Sequence, residues 1–591
     1  MNLRDGASSL GWRGSAARRC RRVSLFSLFI LVLLLAPGRP VRSGHAAPIS
    51  GAKGRLEAPA GESSSPAKPS FTGLAGARQA YFADSWYPGE KAVTMVEVQR
   101  MLRAGASAPS LKGKPLALIV PHAGWEFSGA AAAAAFRTLH SGDYRRVVII
   151  APSHRHSLRG FASDDHSAYH TPLGEIPICA DALSSLAAKK LVQKIAGVTD
   201  GEHAAEIELP FLQETLGAFC LVPIMAGEAG PAEQKALAGA LAGLNDGQTL
   251  FVVSSDFTHY GESYGYAPFG GSVKAARAQI GDQNRRAIGF LERIDPAGFR
   301  SFIDETQDTI CGRVGIGVLL ELLRIAEPKA RPVLMGYYTS ADIPERGGDM
   351  SVSYVAFAYS REEAAGSPLL APPSYTPVSP DAPPLGAEAG DRLVRLARAA
   401  LRTQLAGTDD LRRELGQFPK GSEFERLQAT FVTLNRTDPA EIASMGKLRG
   451  CIGQVWPTYP LYAAVVHAAV DAALNDSRFN PVTAHELARI EVEVTALSPP
   501  KPVASWRDIK LGTHGIVMQK SGRRALFLPQ VPGEQGWDIE QTLGALSRKA
   551  GLPLDAWREG AAFAVFTGEV FEERSNEKPT GEHKTRPKGK D

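Results

Sequence analysis

Between about Ala77 and Ser360 short apolar runs alternate with longer amphipathic stretches. The run Pro115-Leu-Ala-Leu-Ile-Val120 stops abruptly on Pro121-His122, and the alanine-rich stretch from Gly129 to Phe136 that follows predicts a helix. Val147–Ile150 predicts a β-branched strand running into Pro152-Ser153-His154, and Leu250–Ser254 predicts another running into Ser255-Asp256-Phe257-Thr258-His259. Residues 181–195, 231–244 and 314–326 have the length and apolar spacing of covering helices. The alternation predicts a mixed, largely parallel α/β sheet flanked by helices.

Three predicted strands thus finish in loops that carry a histidine. In open parallel sheets ligands bind beyond the carboxyl ends of the strands, so His122, His154 and His259 are candidates for one metal or acid/base site. Eight of the thirteen histidines fall between residues 122 and 259, an uneven distribution for solvated side chains; His156, His166 and His170 read as loop or surface residues. Two further segments bear on the same place. Glu202-His203 reads either as a helix start with a capping carboxylate or as a ligand pair. Cys311, just before the helix predicted from Val314 and beside Arg313, has a thiolate that the helix dipole and positive charge would favour; an ordinary buried thiol is the alternative. Tyr81-Phe82 and Trp86-Tyr87-Pro88 read as packing aromatics.

A second pattern begins after seven prolines between Arg361 and Gly390. An apolar helix is expected from Asp391, a strand over Ala429–Leu434, a glycine-framed turn at Leu448-Arg-Gly-Cys-Ile-Gly453, a long helix over Leu461–Leu474 and a half-buried strand over Ile490–Val494. Cys451 is the candidate for chemistry here. Its glycine neighbours would let a substrate or partner backbone approach and Arg449 would bind an anion, whereas the plain alternative is a demanding turn with a buried thiol.

At 591 residues more than one domain is expected. The ends modify that picture. Arg18, Arg19, Arg21 and Arg22 precede an uncharged run from Val23 to Ala36, with small residues at Gly44 and Ala46, as in a secretory signal; an uncleaved N-terminal membrane anchor is the alternative. Arg21-Arg22 is a partial match to twin-arginine export. Residues 1–46 are therefore expected to be a signal peptide, 47–76 a flexible tether, 77–360 the first domain, 361–390 a Pro-rich linker, 391–574 the second domain and 575–591 a disordered tail. The expected location is periplasmic or extracellular, with no stable membrane span after cleavage. Loss of residues 1–46 removes eight Arg and one Asp, which turns the formal charge of +4 into −3, and no basic stripe remains to argue for nucleic acid. The cysteines at 179, 220, 311 and 451 are too scattered to imply a disulfide framework.

Residues 77–360 resemble the Memo family through Trp86-Tyr-Pro88, Pro121-His-Ala-Gly124, Pro152-Ser-His154, Thr171-Pro-Leu-Gly174, Glu202-His203, Leu209-Pro-Phe211, Ser254-Ser-Asp-Phe257 with His259, Ile310-Cys-Gly-Arg313 and Ser351-Val-Ser-Tyr354. The resemblance implies a fold like that of class III extradiol ring-cleaving dioxygenases and a mononuclear metal on His122, His154 and Cys311. It also implies an acid/base role for His259, with Asp256 orienting it or supporting the metal. Where many members have two histidines after Pro-Ser, this chain has His154 and Arg155. A thiolate in place of the dioxygenases' carboxylate leaves iron(II) as the expected metal, with copper(I) and zinc as alternatives.

Residues 391–574 resemble the AMMECR family, an α+β domain, through Leu448–Gly453, Asp476-Ser-Arg-Phe479, His514-Gly515, Phe527-Leu-Pro-Gln-Val531, Gly536-Trp537 and Lys549-Ala-Gly-Leu552. Both families occur with radical S-adenosylmethionine proteins in the AmmeMemoRadiSam system, a partnership that export would oppose. The chain is accordingly expected to be a metal-dependent oxidoreductase-like protein acting on a small molecule. The competing readings are a non-catalytic metal-handling protein with a C-terminal interaction module, and a scaffold with a vestigial site.

Overall fold

The computed structural model describes residues 75–344 and 348–573. The expected signal segment, the tail from 575 and all of the expected tether except Ala75 and Gly76 lie outside the described residues.

The first half is built on nine strands: β1 (Ala117–Val120), β2 (Arg146–Pro152), β3 (Phe161–Ser163), β4 (Gln193–Lys194), β5 (Cys220–Ala226), β6 (Thr249–Ser254), β7 (His259–Tyr260), β8 (Arg331–Thr339) and β9 (Ser351–Ser360). Their order is β7-β9-β1-β6-β2-β5-β3-β4, with β8 beside β9. Strands β1, β6, β2 and β5 are mutually parallel, whereas β9, β8 and β3 join antiparallel. This is the expected mixed α/β sheet.

The uninterrupted apolar runs follow from burial on both faces. Leu118 and Val120 point into the core formed with helix α2 (Trp125–Phe136), whereas Ala117 and Ile119 point into the core formed with helix α4 (Arg313–Ala326). Gly315 lets α4 come close: a Cβ there would stand 3.1 Å from both Ile150 and Val253. The helix expected over 181–195 spans only Ala180–Ala188, because Lys190 takes a left-handed φ of 57° and Gln193–Lys194 becomes edge strand β4. Two further helices complete the part that matters for the site: α1 (Lys91–Ala104) and the single turn α3 (His203–Glu206).

In the second half helices α5 (Gly386–Ala406) and α6 (Leu461–Leu474) cover one face of a four-stranded sheet. Its strands β10 (Thr430–Arg436), β11 (Leu448–Gly453), β12 (Ile490–Leu497) and β13 (Gly568–Glu572) are ordered β11-β10-β12-β13. Strand β10 alternates buried and half-buried side chains along its whole length, as a strand covered on one face does. A second four-stranded sheet packs against the helix Ile539–Lys549. Leu448–Gly453, expected as a turn, is a strand.

The two halves share a core. Ala92, Val93, Met95 and Val96 of α1 are buried with Leu393, Leu396, Val466 and Val470, while Val98 and Met101 of the same helix belong to the first half's interior. The Pro-rich segment differs correspondingly from a loose spacer. Leu369 is buried and exchanges backbone hydrogen bonds with Met335 and Tyr337, Thr376 and Val378 bond to Leu427, and α5 begins at Gly386. Proline favours extended backbone, and such a segment docks through isolated bridges that hydrophobic periodicity does not reveal.

At this shared core Glu97 is buried, accepting from Arg100 at 2.8 Å and standing 3.0 Å from His467 of α6. Burial alone would raise its pKa, but Arg100 and His467 outweigh that and hold the carboxyl at about 2. A depressed carboxyl contributes stability above its unfolded value and loses it as pH falls through the folded one. Acid titration is therefore expected to remove on the order of 3 kcal/mol between about pH 4.5 and pH 2. Thermal denaturation across that range checks this, with Glu97→Gln lacking this part of the pH dependence.

Cys179 and Cys220 form a disulfide with Cα atoms 5.2 Å apart, although 41 residues separate them in sequence. It is a single bridge and not a disulfide framework: the Cys179 N–H donates to the Leu221 carbonyl, which sets the two thiols side by side. Cys311 and Cys451 are free. Cys179→Ser with Cys220→Ser, or reduction, is expected to cost about 2–4 kcal/mol, read as a lower Tm. Among the described residues no helix is long and apolar enough to cross a membrane.

Candidate metal centre

Because β1, β6 and β2 are adjacent and parallel, the loops that follow them open on one edge of the sheet. Those loops carry His122, Asp256 and His154, and the loop after β6 leads directly into His259 at the start of β7. Helix α3 adds His203, and the turn before α4 adds Cys311. The rings of His122, His154 and His203 lie 4.7 to 5.3 Å apart by centroid, with ring nitrogens within 4.8 Å of one another. Cys311 joins through His122, its Sγ 3.1 Å from Nε2.

Hydrogen bonds decide which nitrogen of each ring is free. Ser254 Oγ lies 2.5 Å from the Ala204 carbonyl, which takes its only proton, so at 2.6 Å it accepts from His122 Nδ1–H. His154 Nδ1 lies 2.9 Å from Glu202 Oε1, and His259 Nδ1 lies 3.1 Å from the Thr309 carbonyl. Both partners accept, so both Nδ1 atoms carry protons. In His122 and His259, whose pKa values burial lowers, this leaves the lone pair on Nε2.

Burial, then the neighbouring histidines, holds His122 well below its ordinary pKa; burial likewise lowers His203 to about 4 and depresses His259. His122 and His203 therefore face the cluster as neutral imidazoles, which suits a cation and not an anion. Glu202 is held at about 2, since His154 outweighs the effect of burial. It caps α3 through the Ala204 N–H at 3.1 Å and also orients His154, so both readings of Glu202-His203 apply.

The expectation for Cys311 changes. Arg313 is exposed, and burial with the Asp256 charge beside it pushes the Cys311 thiol well above its ordinary value; the helix start does not win. Only a cation would reverse this balance. Asp256 accepts from the His122 N–H at 2.8 Å and so fixes the His122 loop, while Thr309 orients His259. Burial raises Asp256 to about 7. His166, expected as a loop or surface residue, is largely buried 3.1 Å from Asp164.

Cys451 is not brought to this cluster. It lies on β11 opposite Thr433, whose hydroxyl is 3.4 Å from Sγ, and burial pushes its thiol up. Arg449 is buried and bound to Glu486 at 2.7 Å. A Cβ at Gly450 would lie 2.1 Å from the Ala472 carbonyl, and one at Gly453 2.2 Å from that of Thr430. The protein's own backbone fills the space that had been read as room for a ligand.

Sequence reasoning missed the role of Trp86. The Trp86 ring packs 4.3 Å from that of His203, with Phe82 5.5 Å away on the same ring. Arg78 was also missed. It is fully buried, bonds to Glu206 at 2.7 Å and to the carbonyls of Thr199 and Glu202, and ties the residues before Trp86 to α3.

The family described as Memo-like protein matches residues 78–358, and the family AMMECR1 matches residues 394–571. The "Protein memo-1 homolog" of Caenorhabditis elegans is 31% identical over 287 residues, which is 47% of this chain and 81% of that protein. "Protein PH0010" of Pyrococcus horikoshii is 41% identical over 209 residues, 34% of this chain and 96% of that protein. A crystal structure of the Pyrococcus horikoshii protein aligns at 40% identity over 32% of this chain and 93% of that one, with a TM-score of 0.28. The chain thus belongs to the Memo family through its first half and to the AMMECR1 family through its second, the two fused in that order.

Proposed function

We propose that this protein binds one metal ion through His122, His154 and Cys311, with His203 beside them, and uses it in an oxygen- or redox-dependent step on a small molecule. The observation that carries the reading is the cluster of His122, His154 and His203, with ligand atoms within 4.8 Å of one another, beside the Cys311 thiol at His122 Nε2. The donor set fits iron(II), with copper(I) and zinc as alternatives, and a bound ion would supply Lewis acidity and, for iron or copper, electron transfer. Ser254 and Glu202 hold the ligand tautomers. His259, neutral at pH 7 with Nε2 free, is the base that would take or return a substrate proton.

The thiol favours a second reading, that of a metal-handling protein, because thiolate and imidazole together suit soft ions whether or not chemistry follows. The test is metal analysis of the full chain purified without oxygen, followed by oxygen uptake with a panel of catechol-like compounds. Stoichiometric metal with uptake supports the enzyme, stoichiometric metal without uptake supports handling, and absence of metal refutes both.

The Arg-rich leader sequence and the Cys179–Cys220 disulfide support an exported protein in an oxidising compartment. On that reading a stable complex with a cytosolic radical S-adenosylmethionine protein of the AmmeMemoRadiSam system is not expected.

A further inference from the structure

The outer wall of the histidine cluster is held by the other half of the chain. Trp86 packs on His203 and is part-exposed, and its carbonyl accepts from the Trp125 N–H at 3.0 Å, next to the loop of His122. Five residues on, α1 begins, and its N-cap residue, Glu90, supplies no side-chain hydrogen bond to the first turn. A helix start without a cap leaves backbone N–H groups to be satisfied elsewhere. Here Gln404 of α5 does this: its Oε1 accepts from the Ala92 N–H at 3.0 Å and its Nε2 donates to Glu90 Oε2. Lys91 Nζ adds a bond to the Gly407 carbonyl at 3.3 Å. Below this turn Ala92, Val93, Met95 and Val96 sit in the core of the second half.

We infer that the AMMECR1 domain serves in this chain as the support of the Memo site. It caps and clamps the first turn of α1, and so fixes the Trp86 wall that shields His203 and orients its ring. This gives the second domain a role that needs no catalytic residue of its own, in keeping with the packed surroundings of Cys451. The wall and its support stand on the contacts alone; their bearing on an ion rests on the metal reading above.

Hydrogen exchange on the metal-free full chain tests the support. Gln404→Ala is expected to speed exchange across residues 84–92 by about fivefold, the usual effect of losing a cap. Arg103→Ala removes bonds from the far end of the same helix to the Leu415 and Phe418 carbonyls and is expected to leave that segment unchanged. Unchanged exchange in Gln404→Ala, or equal acceleration in Arg103→Ala, would overturn the inference. Co2+ titration of the same proteins, with His122→Ala as the blank, tests the bearing on the ion. Binding several-fold weaker in Gln404→Ala is expected, and equal binding there overturns the link to the site. If the parent chain takes up no Co2+, the metal reading fails while the exchange result still stands.

Discussion

His122→Ala is expected to weaken binding of Co2+ or Zn2+ by more than about a hundredfold, since outer partners of metal ligands alone account for about 10–100-fold and His122 stands at the centre of the set. It is the ring that touches the others: His154 and His203 by their rings, Cys311 through Nε2, Ser254 through Nδ1. The companion variants divide two ligand sets. If the ion takes the thiol, Cys311→Ser abolishes the sulfur-to-cobalt charge-transfer absorption and costs more affinity than His203→Ala. If it takes the three histidines, the order is reversed and that absorption is missing from the parent protein. Ser254→Ala is expected to fall between parent and His122→Ala, because it frees the Nδ1 proton without removing the ligand atom.

The largest stability effect is expected from Arg78→Met. The guanidinium is fully buried and spends its donors on Glu206 and on the carbonyls of Gln79, Thr199 and Glu202, while Glu206 also accepts from the Tyr81 and Phe82 N–H groups and the Tyr87 hydroxyl. Removing the cation strands a buried carboxylate, and breaking such a pair costs about 3–5 kcal/mol. Denaturant unfolding of the full chain measures this. Arg78→Met combined with Glu206→Gln should recover part of the loss, because no unpaired charge then remains; a double variant less stable than the single would sink the explanation. For an exposed pair such as Arg286–Glu305, each of whose side chains is more than half exposed, a change near zero is expected.

The sheet was legible because its parallel strands are buried on both faces and so appear as unbroken apolar runs. The positions of His122, His154 and His259 were legible for the same reason, since a polar residue directly after such a run must lie at a strand end. His203 was legible only in part, because a histidine after a capping glutamate reads equally as an ordinary helix start or as a ligand. Nothing in the local pattern says that Glu202 also orients His154 from 48 residues away. The disulfide was hidden by distance along the chain. The glycines around Cys451 were read correctly as sites of close approach but assigned the wrong visitor, since sequence cannot tell a substrate from the carbonyls of Ala472 and Thr430. Arg78 is the plainest failure: a lone arginine near a tether looks solvated until a buried carboxylate is found for it.

The placement of α1 has a practical meaning for anyone dividing this chain. A fragment ending near residue 360 matches the family boundary, yet it would carry the apolar edge formed by Ala92, Val93, Met95 and Val96 into water, with the first turn uncapped. Such a fragment is expected to self-associate or to recruit the missing half when the two are co-expressed. Gel filtration of the two pieces, apart and mixed, would show whether the fusion has become an obligate pairing or merely a tethered one.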